Sequence, residues 1–288
     1  MVDREDLEAL DFLLWHRTGQ LAAAALGCHQ ATVSRRLAHC RSVFGLELWR
    51  EEGEWRCDPN SLLEIERHLH QLGRFLGDRS LRIEGFPIGS RALLLPLPEG
   101  WVHGPLDHVG VRRPLQLLRE RVIDAWLCDA DADLPATSCH ELAVVPLWRA
   151  PVQLVADQHH PLAGERGLTQ ADLLRFPSLD LPAVGFERSR HLFHAQGFGT
   201  QPTSLRRYDI ASWEGLTQDQ ATLACSTPLN QLCTPGLAQL DAPPPFWNGG
   251  SLLVRSDQLD QPAIVALEAL LRQRLRSLAG RIPACALL

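Results

Sequence analysis

The chain has 288 residues, 45% of them hydrophobic and 22% charged, a composition that suits a soluble protein with buried cores and room for two or three compact units. Its formal net charge is −6, and residues 1–80 carry slightly more acidic than basic side chains, so a grip on nucleic acid through overall charge is excluded and only local positive patches remain. There is no lysine, which excludes a P-loop lysine, a pyridoxal Schiff base and a lysine general base. No run of 18 apolar residues occurs and the opening Met-Val-Asp-Arg-Glu-Asp is unlike a signal peptide, so a cytoplasmic protein without membrane contact is expected.

In chain order, Leu7, Leu10, Leu13 and Leu14 mark an amphipathic helix. Residues 21–48 then read LAAAALGCHQATVSRRLAHCRSVFGLEL: an alanine-rich helix, a Gly-Cys turn, and a second helix that opens with polar and basic side chains. Val33, Leu37 and Cys40 recur at helical spacing and face the first helix, while His29, Gln30, Thr32, Ser34, Arg35, Arg36 and His39 fall on the other side. Gln and Arg can pair bidentately with adenine and guanine edges, Thr can meet a thymine methyl, and the remaining donors can hold phosphate. The same pattern also fits a surface hairpin of two helices whose polar face is merely solvated. Residues 44–50 lead into a short polar hairpin at 51–57, and three helices followed by a hairpin make a winged helix-turn-helix.

On these residues, AALGCHQATVSRRL followed by FGLELWR, the chain resembles the DNA-binding domain of LysR-type transcriptional regulators. The resemblance implies a recognition helix beginning at residues 30–35, double-stranded DNA as partner, and contacts from His29, Gln30, Thr32, Ser34, Arg35, Arg36, His39 and Arg50. The wing departs from the family, which carries arginines there; Glu51, Glu52 and Glu54 stand beside only Arg50 and Arg56, and phosphate repels them.

Asp58-Pro59-Asn60 reads as a helix start, with Asp58 as cap and Pro59 in the first turn, and the helix extends to about Gly77. Leu62, Ile65, Leu69, Leu72 and Leu76 follow coiled-coil a/d spacing. The resemblance implies that this linker pairs two chains, giving a homodimer or homotetramer; an amphipathic helix lying on its own domain is the alternative. His68 and His70 stand two apart and cannot share a helix face, so no metal site is expected there.

From residue 81 strands alternate with helices, which implies parallel α/β sheets: strands at 81–86, 109–111, 123–128 and 152–156, with a helix at 114–121. The stretches Arg121-Val122-Ile123-Asp124-Ala125-Trp126-Leu127 and His160-Pro161-Leu162-Ala163 resemble the family's strand entry and second-lobe entry. The fold expected is therefore α/β, with an N-terminal winged helix-turn-helix (1–58), a dimerising linker helix (59–78), and a two-lobed effector domain like a periplasmic binding protein. Lobe I would hold 81–146 and 246–278, and lobe II 147–245. One departure is plain: Pro96 and Pro98 limit the helix after the first strand to a turn or two.

Ligands of α/β sheets bind at the carboxyl ends of strands, where helix N-termini offer free N–H groups. Ser90, the Arg112-Arg113 pair and Phe186 occupy such positions, and paired arginines suit a small carboxylate or phosphate effector. The competing expectations are arginines that face water or pair with Asp107 or Glu99, and a cleft filled by side chains such as Trp101 or Trp148. The latter would leave a degenerate regulator or adaptor with no effector. A Cys/His hydrolase, using Cys139 with His140 or Cys225 with His191, is a third class; neighbours on a strand point to opposite faces and no nucleophile elbow is visible, so no enzyme is expected. The eight cysteines form no Cys-x-x-Cys pair, and no metal or cofactor is implied. Cys225 and Cys233 could form a redox pair but fit buried, inert thiols better.

Overall fold

The computed structural model describes residues 2–135, 141–203, 205, 207–282 and 284–288. Cys139 and His140 lie outside the described residues. The N-terminal head contains α1 (Arg4–His16), α2 (Gly19–Ala25), α3 (Gln30–Phe44), β1 (Leu48–Glu51) and β2 (Glu54–Cys57). Thr18 starts α2 by accepting from the Leu21 N–H at 3.1 Å, and Gly45 ends α3 in the left-handed region. Leu10, Leu14, Ala22, Ala23, Val33 and Cys40 form the buried interior, joined by the half-buried Leu37. In the hairpin Glu52 and Gly53 both take positive φ, the mirror-image turn that matches strand twist.

Helix α4 (Ser61–Phe75) begins two residues later than Asp58-Pro59 suggests. Asn60 is the cap: its side chain accepts from the Leu63 N–H at 3.0 Å and donates to the Phe44 carbonyl at 2.9 Å, so one carboxamide serves two helix ends. Asp58 instead accepts from the Glu47 N–H. One face of α4 lies on its own chain, through Leu63, Arg67, Gln71 and Arg74, all buried. Arg74 grips Asp124 with two hydrogen bonds of 2.8 and 2.7 Å, and Arg67 donates to Asp11 at 2.9 Å. The opposite face is apolar and open.

The rest of the chain forms two lobes. Lobe I contains β3 (Leu81–Gly85), α5 (Gly89–Leu94), β4 (Trp101–His103), α6 (Arg112–Arg119), β5 (Ala125–Cys128) and β6 (Leu142–Pro151). Lobe II contains β7 (Gln153–Asp157), α7 (Gln170–Leu173), α8 (Glu187–Ala195), α9 (Ile210–Trp213), β8 (Ala224–Ser226), α10 (Pro228–Gln231) and β9 (Leu237–Gln239). The chain then returns through β10 (Trp247–Arg255), α11 (Pro262–Leu278) and β11 (Ala286–Leu287) to lobe I, whose sheet has the order β11-β6-β10-β5-β3-β4. Ile264, Leu267, Leu271 and Leu275 of α11 pack beneath it with Ile83, Leu94 and Leu252.

Two expectations are corrected. Among the described strands only β4-β3-β5 pair in parallel; β10 runs against β5 and β6 runs against β10, and the β8-β7-β9 sheet of lobe II is antiparallel, because the crossing strands must carry the chain out and back. The second parallel strand is Trp101–His103, not 109–111. Gly110 there has φ +77° and presses against Gly185, also at positive φ, where an added Cβ would stand 2.8 Å from the other glycine's Cα; 109–111 is a contact between lobes. Helix α5 stops at Leu94, ahead of Pro96 and Pro98 as expected.

Candidate nucleic-acid interface and effector cavity

Helix α3 is held by one side. Val33 and Cys40 are buried and Leu37 half-buried, while His29, Gln30, Ser34, Arg35 and His39 are exposed and Thr32 and Arg36 half-exposed. Arg35 and Arg36 have no ion-pair partner among the described residues. His39 is engaged through one ring nitrogen, its Nδ1 lying 2.6 Å from Asp6 Oδ2. Gln30 lies against Gly19, at the start of α2. The wing differs from a plain acidic hairpin. Glu54 turns inward, accepting from Arg17 Nε at 2.6 Å with Arg113 Nε 3.4 Å away, so only Glu51 and Glu52 remain outward. Arg50 stacks on Trp55 and donates to the Arg17 carbonyl, which ties it to the hairpin base.

The head is docked on lobe I by buried polar groups. Trp15 Nε1 donates to Glu84 Oε2 at 2.7 Å; Arg17 pairs with Asp107 and meets His108; Arg113 donates to the Leu14 carbonyl at 2.6 Å. Asp11 accepts from Arg67 and from Arg82, at 2.9 and 3.0 Å. Burial pushes the Glu84 carboxyl up to about 7, against the lowering effect of hydrogen bonds from Gly85 and Trp15. Burial, with Arg17 beside it, holds His108 well below its ordinary range, so the 3.7 Å approach of its Nε2 to Glu84 joins a neutral ring to a carboxyl and is no ion pair.

A cavity of about 100 Å³ lies between the lobes. Phe86, Val109 and Asp129 wall it from lobe I; Phe186, Trp213 and Phe246 wall it from the other side. Phe86 and Phe186 meet edge to face across the gap, with ring centroids 5.9 Å apart. The sequence-derived effector set is corrected here. Of its four residues only Phe186 lines the space. Ser90 is buried, its hydroxyl 3.4 Å from the Leu127 carbonyl. Arg113 serves the docking surface, and Arg112 is exposed and pairs across the lobes with Glu187, not with Asp107 or Glu99. Trp101 and Trp148 lie in the lobe I core, so they do not fill the cleft. Asp129 and Asn230 do line it. Asp129 follows strand β5 at its carboxyl end, the position that singled out residues 87–90 after the first strand, whereas Asn230 sits in a helix too short to show in the sequence.

No protein-family model matches the chain, and no curated protein matches it. Among solved structures, CbnR, a LysR family transcriptional regulator, aligns over 94% of this chain and 99% of its own, with 16% identity and a TM-score of 0.53. The chain has the LysR-type fold. A full-length OxyR cysteine variant from Pseudomonas aeruginosa agrees over 98% of this chain and 96% of its own, at 15% identity and a TM-score of 0.56. A peroxide-bound OxyR variant from Corynebacterium glutamicum agrees over 98% and 95%, at 17% and 0.51. CbnR has also been solved with its target DNA, and that structure aligns at 17% identity and a TM-score of 0.52.

Within this LysR-type fold three cysteines, Cys40, Cys128 and Cys225, are held as thiols by burial, whereas Cys233 is exposed. Burial pushes Cys225 and Cys40 up to about 12 and Cys128 well above its ordinary range, leaving almost no thiolate near neutral pH. Among the described residues no cluster of His, Cys, Asp and Glu could hold a metal ion, and no helix is long and apolar enough to cross a membrane.

Proposed function

We propose that this chain is a DNA-binding transcriptional regulator of the LysR type, working without catalysis in the cytoplasm, with α3 as reader and the two lobes as sensor. The observation that carries this reading is α3 itself: its inner face is locked by Val33, Leu37 and Cys40, and its outer face presents Gln30, Ser34 and Arg35 to solvent. A helix fixed on one side and furnished with bidentate donors on the other has the form a major groove accepts. That another protein of this fold has been solved on its target DNA supports it.

The linker stripe supports a homodimer. Leu62, Ile65, Leu69 and Leu76 are 62, 58, 59 and 85% exposed although apolar, and a second copy of α4 would cover them. The cavity supports a small-molecule effector bound between the lobes. The test is DNA binding by Arg35→Ala: at a specific site the variant loses about 1–3 kcal/mol, roughly 5- to 150-fold in affinity. Equal affinity of wild type and variant at every site would remove α3 as reader.

A further inference from the structure

The cavity has a chemistry opposite to the one its neighbouring arginines suggest. Asp129 is the acidic side chain among its lining residues, and among the described residues no arginine or histidine lines it. Burial pushes its carboxyl well above the ordinary carboxylate range, so the cavity by itself favours the neutral acid and a bound cation favours the carboxylate. Asp129 is 5% exposed, and neither of its carboxyl oxygens has a hydrogen-bond partner. Asn230 Oδ1 is likewise buried and unpaired. These orphan acceptors come from opposite lobes and converge beside Gly89. A Cβ placed on that residue would lie 2.8 Å from Asn230 Oδ1 and 3.4 Å from Asp129 Oδ2. The Asp129 backbone is fixed, since its carbonyl accepts from Asn248 Nδ2 at 2.6 Å. Buried acceptors without donors are costly to maintain, and paired acceptors facing an apolar chamber are complementary to a donor-bearing cation.

We propose that the cavity binds a small organic amine, its ammonium donating to Asp129 and Asn230 and its hydrocarbon body lying among Phe86, Phe186 and Phe246. This rests on reading the cavity between the lobes as the effector site. An anion would meet an unpaired carboxyl and no countercharge; an ammonium finds acceptors and aromatic faces together. Because Asp129 belongs to lobe I and Asn230 to lobe II, the ligand ties the lobes to one another. About 100 Å³ is less than the roughly 150 Å³ of a dry cavity that takes benzene, so the body is a short branched chain smaller than a benzene ring.

The test is a thermal shift of the full-length protein with millimolar isobutylamine, against isobutanol, isobutyrate and equal sodium chloride. The amine should raise the melting temperature by about 2–4 °C, while the alcohol and the acid should leave it in place. Asp129→Asn, which keeps the shape and removes the ionisable carboxyl, should lose the shift, and Asn230→Ala should reduce it. Isobutyrate acting as strongly as isobutylamine, an undiminished shift in Asp129→Asn, or no shift with the amine overturns the proposal. DNA binding measured on the same preparations separates the two claims. Intact site-specific binding without an amine shift removes only the ligand, and an amine shift without DNA binding removes only the regulator.

Discussion

Asp11 joins three parts of the molecule through one carboxylate. It is 1% exposed and neutralises Arg67 of the linker helix and Arg82 of lobe I, themselves buried, so it ties head, linker and lobe. Asp11→Ala leaves Arg82 without a carboxylate partner and Arg67 with only Glu120, 3.4 Å away, and should cost about 3–5 kcal/mol, read as a fall in the urea midpoint. An unchanged midpoint would mean that water reaches those arginines. His16, stacked on Phe12, gives a pH signature. Burial lowers its pKa from 6.5 to about 4, the nearby Asp107 opposing, so the neutral ring is the folded form. Its contribution is then complete above pH 6.5 and lost as pH falls toward about 4, because the unfolded chain takes up the proton first. Wild type should therefore lose more stability than His16→Asn across that window, and parallel pH profiles would contradict the assignment. Residue roles of this kind were hardly legible in the sequence. Arg113 reads as an anion ligand beside a helix N-terminus, yet its partner, the Leu14 carbonyl, lies 99 residues away.

At the scale of elements, α4 turns two faces to two environments. Its polar face is spent on Asp11 and Asp124, so burial of the helix on its own chain and an open leucine stripe are compatible, and the two sequence readings were not alternatives. Leu69→Glu places a charge in the stripe and should convert a dimer to a monomer in light scattering; an unchanged mass would move association to another surface. Elements with strong local signals were legible. The 3.6-residue spacing of Val33, Leu37 and Cys40 marks α3, the leucines mark α4, and Pro96 with Pro98 mark the end of α5. The misplaced strand at 109–111 had a β-branched pattern, but contact with Gly185 across the lobes decided its conformation. The cavity's acceptors escaped notice because a lone Asp and a lone Asn acquire meaning only when two lobes bring them together.

For the whole molecule, the docked head means that reader and sensor should unfold together. Trp15, Glu84 and Gly104 form a tight contact, and a Cβ on Gly104 would fall 2.0 Å from Glu84 Oε2. Calorimetry should give one transition for wild type and a separate, earlier one in Gly104→Ala; two transitions in wild type would contradict docking. The same rigidity would carry a change between the lobes to α3 without a flexible hinge. The central claim, that this chain reads DNA as a dimer through α3, is tested most directly by selecting sequences from a random duplex pool with the full-length protein and footprinting the result. The result expected is an enriched site with two-fold symmetry, half-sites about 10 base pairs or a multiple apart, and protection lost in Arg35→Ala. A pool that shows no enrichment, or a site bound equally by Arg35→Ala, would contradict it.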